Sequence, residues 1–334
     1  MKALTTNTDA RLLCGPYRSL SLAFVLSFLF PAHSRAQVEL RAEKQILAES
    51  THGTTSLKKG PGDRIYALTR LGMPSSAIWV ADSAEGSARQ MVAGGSEPSD
   101  LRVPTDLAVD GEGNAIVADG SIKIFSGSGK LLNWFPFENL DSVATLQDRR
   151  ILVSSRPSKH LISVLDQQGK LVEEIGEPVK VEGASAGLNA ILNMGRIVVD
   201  ANDNIYFVFR YLLTPTVRKY TADGKMAAEW HPESAGLEQI TERAKKRREA
   251  DADQETSGVT PVLSAAAFDE ETNTLWVASG PYLMQLDDAG KTIRNFYLKQ
   301  PDGVPMQVSA LLVDRDLLLA SSVLHGVFEF PKPQ

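Results

Sequence analysis

The apolar positions of the segment 104–135 fall into four short runs separated by polar turns. The runs 107–109 and 115–118 lie on either side of a turn that contains Gly and Asn, and the runs 122–125 and 131–135 flank a Ser/Gly turn. Short runs rich in β-branched residues between such turns are typical of antiparallel strands joined by hairpins. The segment therefore predicts a four-stranded antiparallel meander.

Two features of this segment recur along the chain. The second run returns as an apolar stretch that often ends in Asp or Ser, and the central residues of its six copies are Val80, Val117, Val153, Val208, Val277 and Leu319. A Gly-Lys turn before the last run of a unit occurs at Gly129-Lys130, Gly169-Lys170, Gly224-Lys225 and Gly290-Lys291. Because Gly supplies the positive φ of a hairpin turn, this turn also predicts paired strands. Two features that recur together indicate six copies of one unit.

Six such units predict an all-β fold, a six-bladed β-propeller of four-stranded antiparallel blades. The last unit, 311–330, contains three runs rather than four, whereas the segment 38–46 is a spare strand-like run before the first unit. We expect 38–46 to supply the outer strand of the last blade. This pairing would close the ring and cover an exposed strand edge.

Long gaps between units place insertions at 177–193 and 231–260. The stretch 234–251 in the second insertion has a thin apolar stripe among charged residues, with Ser234 as a possible N-cap, and predicts a helix. A solvated surface helix and an element that docks a partner both fit this pattern.

The blade pattern resembles the NHL repeat. The matching residues in the second unit are Pro104-x-x-Leu107-Ala108-Val109-Asp110-x-x-Gly113-Asn114-x-Ile116-Val117-Ala118-Asp119, followed by Gly129-Lys130. The fourth unit repeats part of it in Ile197-Val198-Val199-Asp200 and Asn204-Ile205. The resemblance covers roughly residues 60–330 and implies a six-bladed propeller. It implies no activity, because different families use this fold as a binding scaffold, a lyase or a lactonase.

The N-terminal segment 1–36 has the pattern of a secretory signal peptide. Three basic residues precede an apolar run of 11 residues at 20–30, and Ser34 and Ala36 precede a cleavage site after Ala36. The run is shorter than the roughly 20 residues of a membrane span, and no later stretch approaches that length. We therefore expect a propeller domain of 37–334, located in the periplasm or secreted, without a membrane span after cleavage.

Cleavage would change both the cysteine content and the charge. Cys14 is the only cysteine, so the mature chain would have none, and disulfide and thiol chemistry are excluded. Without the four basic and one acidic residues of 1–36, the chain keeps 31 Lys/Arg and 40 Asp/Glu, a net charge of −9. An acidic chain argues against a nucleic-acid partner.

Candidate site residues follow from the expected channel at the propeller axis. Aligning the first run of each unit places five residues at one mouth of this channel: Asp106, Ser142, Arg196, Ala265 and Ala310. Asp141, Ser264 and Ser309 come one residue earlier, and Arg64 is a looser match in the first unit. The opposite charges of Asp106 and Arg196 suit a polar or zwitterionic ligand. His160 and His325 fall in loops expected at the same end, on opposite blades, and are candidates for a shared role.

These residues leave the question of enzyme activity open and support three hypotheses. The first is an exported NHL-like propeller without a cofactor that binds a small polar ligand or a protein. The alternative is a metal-dependent hydrolase or lyase, similar to propeller lactonases, with one divalent ion held at the channel mouth by Asp106 and Asp141. The third is a structural partner in an envelope assembly that docks through the helix 234–251.

Overall fold

The computed structural model describes residues 37–47, 52–71, 75–82, 88–156, 158–250 and 258–333. The expected signal peptide, 1–36, lies outside the described residues. Two short strands, β1 (Val38–Arg41) and β2 (Lys44–Ile46), precede the first blade.

Blades one to three follow in chain order, and each is a four-stranded antiparallel sheet. Blade one contains β3 (Thr54–Gly60), β4 (Arg64–Thr69), β5 (Ala77–Asp82) and β6 (Ala88–Ala93). Blade two contains β7 (Asp106–Val109), β8 (Ala115–Ala118), β9 (Ser121–Phe125) and β10 (Leu131–Pro136). Blade three contains β11 (Leu140–Thr145), β12 (Ile151–Ser155), β13 (Ile162–Leu165) and β14 (Leu171–Ile175).

Blades four to six repeat this arrangement, with helices α1 (Ala186–Leu192) before and α2 (Ala235–Ala250) after blade four. Blade four contains β15 (Gly195–Val199), β16 (Ile205–Phe209), β17 (Val217–Tyr220) and β18 (Met226–Trp230). Blade five contains β19 (Ala265–Asp269), β20 (Thr274–Ser279), β21 (Tyr282–Leu286) and β22 (Thr292–Lys299). Blade six contains β23 (Ala310–Asp314), β24 (Leu317–Ser322) and β25 (Gly326–Pro331), and β2 completes it.

The innermost strands β3, β7, β11, β15, β19 and β23 contact one another in cyclic order and surround the central channel. The core lies between neighbouring blades. One cluster, for example, joins Leu68 and Val80 of blade one to Leu107 and Val117 of blade two. The prediction of a six-bladed propeller is therefore confirmed.

The ring closes through the N-terminal strands, as predicted, but the segment 38–46 is shared between two blades. β2 pairs antiparallel with β25 in blade six, whereas β1 pairs parallel with β22 as a fifth strand of blade five. The chain crosses between the blades at Ala42 and Glu43, whose N–H groups donate to Lys299 O and Glu329 O, both at 2.9 Å. Leu40 is buried in the cluster between blades five and six.

The predicted strand order of blade one is wrong by one strand. The motif Trp79–Asp82 lies in β5, the third strand, and β4 is the second strand. The innermost strand is β3, which was not recognised. Both β4 and β5 are mostly buried and apolar, so their patterns are alike, whereas β3 contains Lys58 and Lys59 before its last residue and lacks the apolar pattern of the other innermost strands.

The predicted hairpin turn before the last strand of a blade is confirmed. The Asp166 carboxylate accepts hydrogen bonds from the N–H groups of Gln168 and Lys170 at 3.0 and 2.9 Å. Gly169 has a φ of +80°, which a residue with a side chain rarely adopts. The turn therefore joins β13 to β14 through side-chain and backbone geometry that is local to the motif.

Both insertions contain a helix. The predicted helix in the second insertion is α2, and Ser234 Oγ caps it by accepting from Leu237 N at 3.1 Å. The first insertion also forms a helix, α1, which was not predicted and is capped by Ser185. Neither helix of the described ranges has the length and apolar character that a membrane crossing requires.

Candidate functional site

The alignment of the innermost strands places most of the predicted residues at one end of the channel. Asp106, Arg196, Ala265 and Ala310 lie at or next to the first residue of their strands, and Ser142 lies near the start of β11. Ser264 and Ser309 directly precede β19 and β23. These residues surround the channel mouth.

Asp106 and Arg196 form an ion pair with each other, with Arg196 Nη1 3.2 Å from Asp106 Oδ1. Arg196 also donates to Thr105 O at 3.3 Å and, with Nη2, to Thr55 O at 3.2 Å. Blade four is thus connected to blade two and to blade one, which lies opposite it in the ring. The Arg196 guanidinium therefore crosses the channel just inside the mouth.

Asp106 is a buried carboxylate whose oxygens are already engaged. Its Oδ2 accepts from Ser142 Oγ at 2.6 Å and from Val143 N at 3.2 Å, and its Oδ1 accepts from Leu107 N at 2.9 Å. Burial by itself would raise the pKa of Asp106, but the charges of Arg196 and Lys58 and the hydrogen bond from Ser142 hold the pKa below its ordinary value. Asp106 is therefore an ionised carboxylate that holds Arg196 in place.

A second carboxylate–arginine pair lies at the mouth, between blades three and four. Arg210 Nη1 is 3.5 Å from Asp141 Oδ1. Asp141 Oδ2 and Arg210 Nε are buried and have no hydrogen-bond partner among the described residues. Burial raises the pKa of Asp141 above its ordinary value, although the charges of Arg210 and Arg196 act in the opposite direction. The polar atoms of Asp141 and Arg210 therefore have fewer hydrogen-bond partners than those of Asp106 and Arg196.

A cavity of about 400 Å³ opens above these two arginines, and we call it the mouth pocket. Its lining includes the side chains of Arg196, Arg210, Ser264, Ser309 and His325. None of the described residues that line it is Asp or Glu. The charged groups that line the mouth pocket are therefore two guanidinium groups with hydroxyl groups around them, and their carboxylate partners lie behind the lining.

The two mouth serines also make hydrogen bonds within the fold. Ser309 Oγ donates to Thr54 O at 2.7 Å, which ties blade six to blade one. Ser264 Oγ donates to Ala278 O within blade five at 3.3 Å. Their oxygen lone pairs can still accept from a ligand, but their first contribution is to shape the rim of the pocket.

The two candidate histidines line different cavities. His325 lines the mouth pocket, whereas His160 lines a cavity of about 480 Å³ between blade three and the first insertion. His160 Nε2 lies 3.6 Å from a carboxylate oxygen of Glu174. The structure therefore does not bring the two histidines together in one site.

Arg64 does not belong to the mouth, and this predicted placement is wrong. It pairs in register with Gly60 across the hairpin that ends β3, at the other end of the channel. Its Nε lies 3.3 Å from Asp82, and both side chains are about half exposed. The error follows from the strand order of blade one, because β4 was taken as the innermost strand.

The residues at the mouth fit a metal ion poorly. The described residues contain no group of three or more His, Cys, Asp or Glu side chains that could hold a metal ion. Asp106, one of the two expected ligands, already accepts three hydrogen bonds and lies against a guanidinium. A cation there would have to displace Arg196 first.

Two residues of the channel were missed, Arg210 and Lys58. Arg210 directly follows β16, the second strand of blade four, which runs back towards the mouth. An alignment of the second strands, made in the same way as that of the first strands, would have identified Arg210. Lys58 lies in β3, the innermost strand that was not recognised.

Comparison of the sequence with protein-family models and with curated proteins finds no match. Among solved structures, the chain is similar to selenomethionine-substituted virginiamycin B lyase from Staphylococcus aureus. The TM-score is 0.54 at 10% sequence identity, and the alignment covers 87% of this chain and 98% of that chain. A catalytically inactive variant of that enzyme with quinupristin aligns with a TM-score of 0.52 at 10% identity, covering 88% and 89%. At this identity, the likeness supports the propeller fold alone.

Proposed function

We propose that this chain is a binding propeller of NHL type, and that its mouth pocket binds a small anionic ligand. The observation that carries the proposal is the pair of arginines in a pocket whose described lining contains no carboxylate. Guanidinium groups in a partly enclosed site bind carboxylates and phosphates strongly, because their fixed donors match the geometry of these anions.

Arg210 is the residue we expect to contact the ligand directly. Its side chain is 18% exposed, and its one side-chain hydrogen bond within the described residues is the 3.5 Å contact with Asp141. Its Nε is a buried donor without a partner. An anion in the mouth pocket would instead accept from the partly exposed part of the same guanidinium, whose present contact with Asp141 is long. Arg196, in contrast, is held by Asp106 and by two backbone oxygens.

The ligand proposed here differs from the zwitterion expected from the sequence. Asp106 is 3% exposed and fully engaged, so it offers no carboxylate to the cationic end of a ligand. Of the two expected charged residues, Arg196 lines the mouth pocket and Asp106 does not. We therefore propose an anionic ligand in place of the polar or zwitterionic ligand expected from the sequence.

The test is isothermal titration calorimetry with succinate and inorganic phosphate as probes. We expect at least one of them to bind the wild-type protein, and Arg210→Gln to weaken that binding at least tenfold, since charge-assisted hydrogen bonds contribute about 1.5–3 kcal/mol. Arg64→Gln is the matched control, because it removes an arginine at the other end of the channel. No binding of either anion, or equal binding by Arg210→Gln, would overturn the proposal.

The metal-dependent hydrolase or lyase remains the alternative, and the same preparations test it. Elemental mass spectrometry of the wild-type protein and of Asp141→Asn would support the alternative if about one divalent ion is bound and is lost in the variant. The structural similarity to a lyase, at 10% sequence identity, supports the propeller fold and gives no support for a particular reaction. The mouth pocket supports binding better, because its charged lining residues bind anions rather than metal cations.

We also propose export to the periplasm or the exterior, which the pattern of 1–36 supports. N-terminal sequencing of the protein from cell fractions tests this proposal. A first residue of Gln37 in an extracytoplasmic fraction is the expected result, and an intact N-terminus in the cytoplasm would contradict it.

Docking of α2 in an envelope assembly is a further hypothesis, and pull-downs with and without 231–258 test it.

A further inference from the structure

The central channel contains a second cavity beyond the Arg196–Asp106 pair, with a volume of about 330 Å³. We call it the inner chamber. All six innermost strands contribute to its lining, which includes Leu57, Ala108, Ala144, Ile197, Ala266 and Leu311. A neck of about 20 Å³ beside Asp106 and Arg196 separates it from the mouth pocket. This neck has room for about one water molecule, so the two cavities are separate sites.

Lys58 lies where the neck meets the inner chamber, and it lines both. Its side chain makes no hydrogen bond or ion pair within the part of the chain that the structure describes. The adjacent Lys59, in contrast, pairs with Asp63 at 2.7 Å and also with Asp314. Burial lowers the pKa of Lys58; the charge of Asp106 acts in the opposite direction and that of Arg196 in the same direction. Lys58 is thus a half-buried amine in the channel without a direct counter-ion.

The carboxylate that influences Lys58 most cannot serve as its partner. Asp106 accepts hydrogen bonds from Ser142, Val143 and Leu107 and pairs with Arg196. A partly desolvated ammonium group gains most from an anion that enters the chamber, because such a pair offsets the cost of removing the charge from water. The chamber therefore favours a ligand with a negative group at its deep end.

The opposite end of the chamber limits how much negative charge a ligand can carry. Glu270 and the Lys59–Asp314 pair lie there. Burial raises the pKa of Glu270; a hydrogen bond from the backbone of Ala201 acts in the opposite direction, and nearby Asp200 and Asp269 raise it further. Excess acidic side chains at this end disfavour a second negative group. The walls between the two ends are formed by Ala, Val, Leu and Ile residues of the innermost strands, through their backbone and through partly exposed side chains such as Val109 and Val199.

We propose that the inner chamber binds a small aliphatic monocarboxylate. Its carboxylate accepts from Lys58 Nζ, and its alkyl body lies against the partly exposed side chains of Val109, Val199 and Ala266. The cavity has the volume of about ten water molecules, which suits a ligand of roughly six to ten non-hydrogen atoms. This site goes beyond the mouth pocket and does not depend on the function proposed for it.

The experiment is calorimetric titration of the purified protein with hexanoate. We expect hexanoate to bind the wild-type protein, and Lys58→Met to weaken binding at least tenfold, as expected for loss of a hydrogen bond to an ion. Ala266→Leu adds bulk at a partly exposed wall position that lines the neck and the chamber, and we expect it to weaken binding similarly without changing any charge. Succinate is expected to bind the inner chamber at least tenfold more weakly than hexanoate.

The arms of the experiment distinguish the two sites. Hexanoate binding that survives in Lys58→Met and Ala266→Leu but is lost in Arg210→Gln would place the carboxylate in the mouth pocket and overturn the proposal. Absence of hexanoate binding to the wild-type protein at millimolar concentration would overturn it too, leaving a hydrated channel. Thermal unfolding confirms that each variant is folded. If Lys58→Met does not fold, Ala266→Leu alone decides between the outcomes.

Discussion

Arg196 and Asp106 lie 3.2 Å apart and connect blade four to blade two across the propeller channel. The same guanidinium reaches Thr55 O in blade one, so three innermost strands meet at one side chain. Because the pair separates the mouth pocket from the inner chamber, it affects both the stability of the ring and the separation of the two proposed sites.

Removing Asp106 is expected to destabilise the fold strongly. Asp106→Ala leaves Arg196 buried without its counter-charge, and we expect the free energy of unfolding to fall by about 3–5 kcal/mol. Denaturant unfolding measures the change. The double variant Asp106→Ala/Arg196→Met should recover a large part of the loss, and strictly additive effects would contradict the pairing. Asp82→Ala, at the exposed pair with Arg64, is the control and should cost less than about 1 kcal/mol.

Asp141 is expected to make the fold less stable as the pH rises. Its folded-state pKa lies above the ordinary value of 3.8, so the folded protein binds this proton more tightly than the unfolded chain. The free energy of unfolding therefore falls as the pH rises from about 3.8 through the raised pKa. Asp141→Asn removes this contribution. Relative to wild type, its stability should improve between pH 4 and pH 7 in thermal unfolding scans; a flat difference would contradict the prediction.

Asp106→Asn should show the opposite trend. Its folded-state pKa lies below 3.8, so its ionised form stabilises the fold above that value, and this stabilisation is lost as the pH falls through the folded-state pKa. The deficit of the variant should therefore be largest at neutral pH and shrink in acid. Comparison of the two asparagine variants in the same scans controls for general acid effects.

The N-terminal strand β1 is expected to stabilise the ring through Leu40. Leu40 is buried between blades five and six, whereas Val38 on the same strand is 49% exposed. Leu40→Ala should lower the free energy of unfolding by about 2–5 kcal/mol, because it leaves a cavity in the core. Val38→Ala is the matched control and should change it by about 0.5 kcal/mol or less. Equal effects of the two substitutions would show that β1 contributes little.

Helix α2 is expected to depend on the absence of a side chain at Gly236. A Cβ atom at this position would overlap the ring of Tyr282 in blade five. Gly236→Ala should therefore weaken docking of the helix by about 1–3 kcal/mol, and hydrogen exchange within 235–250 should accelerate. The double variant Gly236→Ala/Tyr282→Ala removes the overlap and should restore slow exchange. Unchanged exchange in the single variant would contradict the close contact.

The sequence by itself determined the fold because each blade encodes its own strands and turns. Short apolar runs, the Gly-Lys turn and the helix cap at Ser234 depend on neighbouring residues, and all three are present in the structure. The same local information failed in blade one, where β4 and β5 have similar patterns and β3 contains two lysines. Which strand is innermost depends on contacts with the other blades, and a local pattern does not contain them.

Only the tertiary structure decided how the charged residues at the channel are used. The strand alignment placed Asp106, Asp141 and Arg196 at the mouth, but their partners come from other blades. Asp106 pairs with Arg196 across 90 positions of sequence, and Asp141 pairs with Arg210 from the next blade. These pairings depend on the curvature of the ring, which brings distant strands together at one axis. For the same reason, Lys58 and the separation of the channel into two cavities became visible only once the six innermost strands were in place.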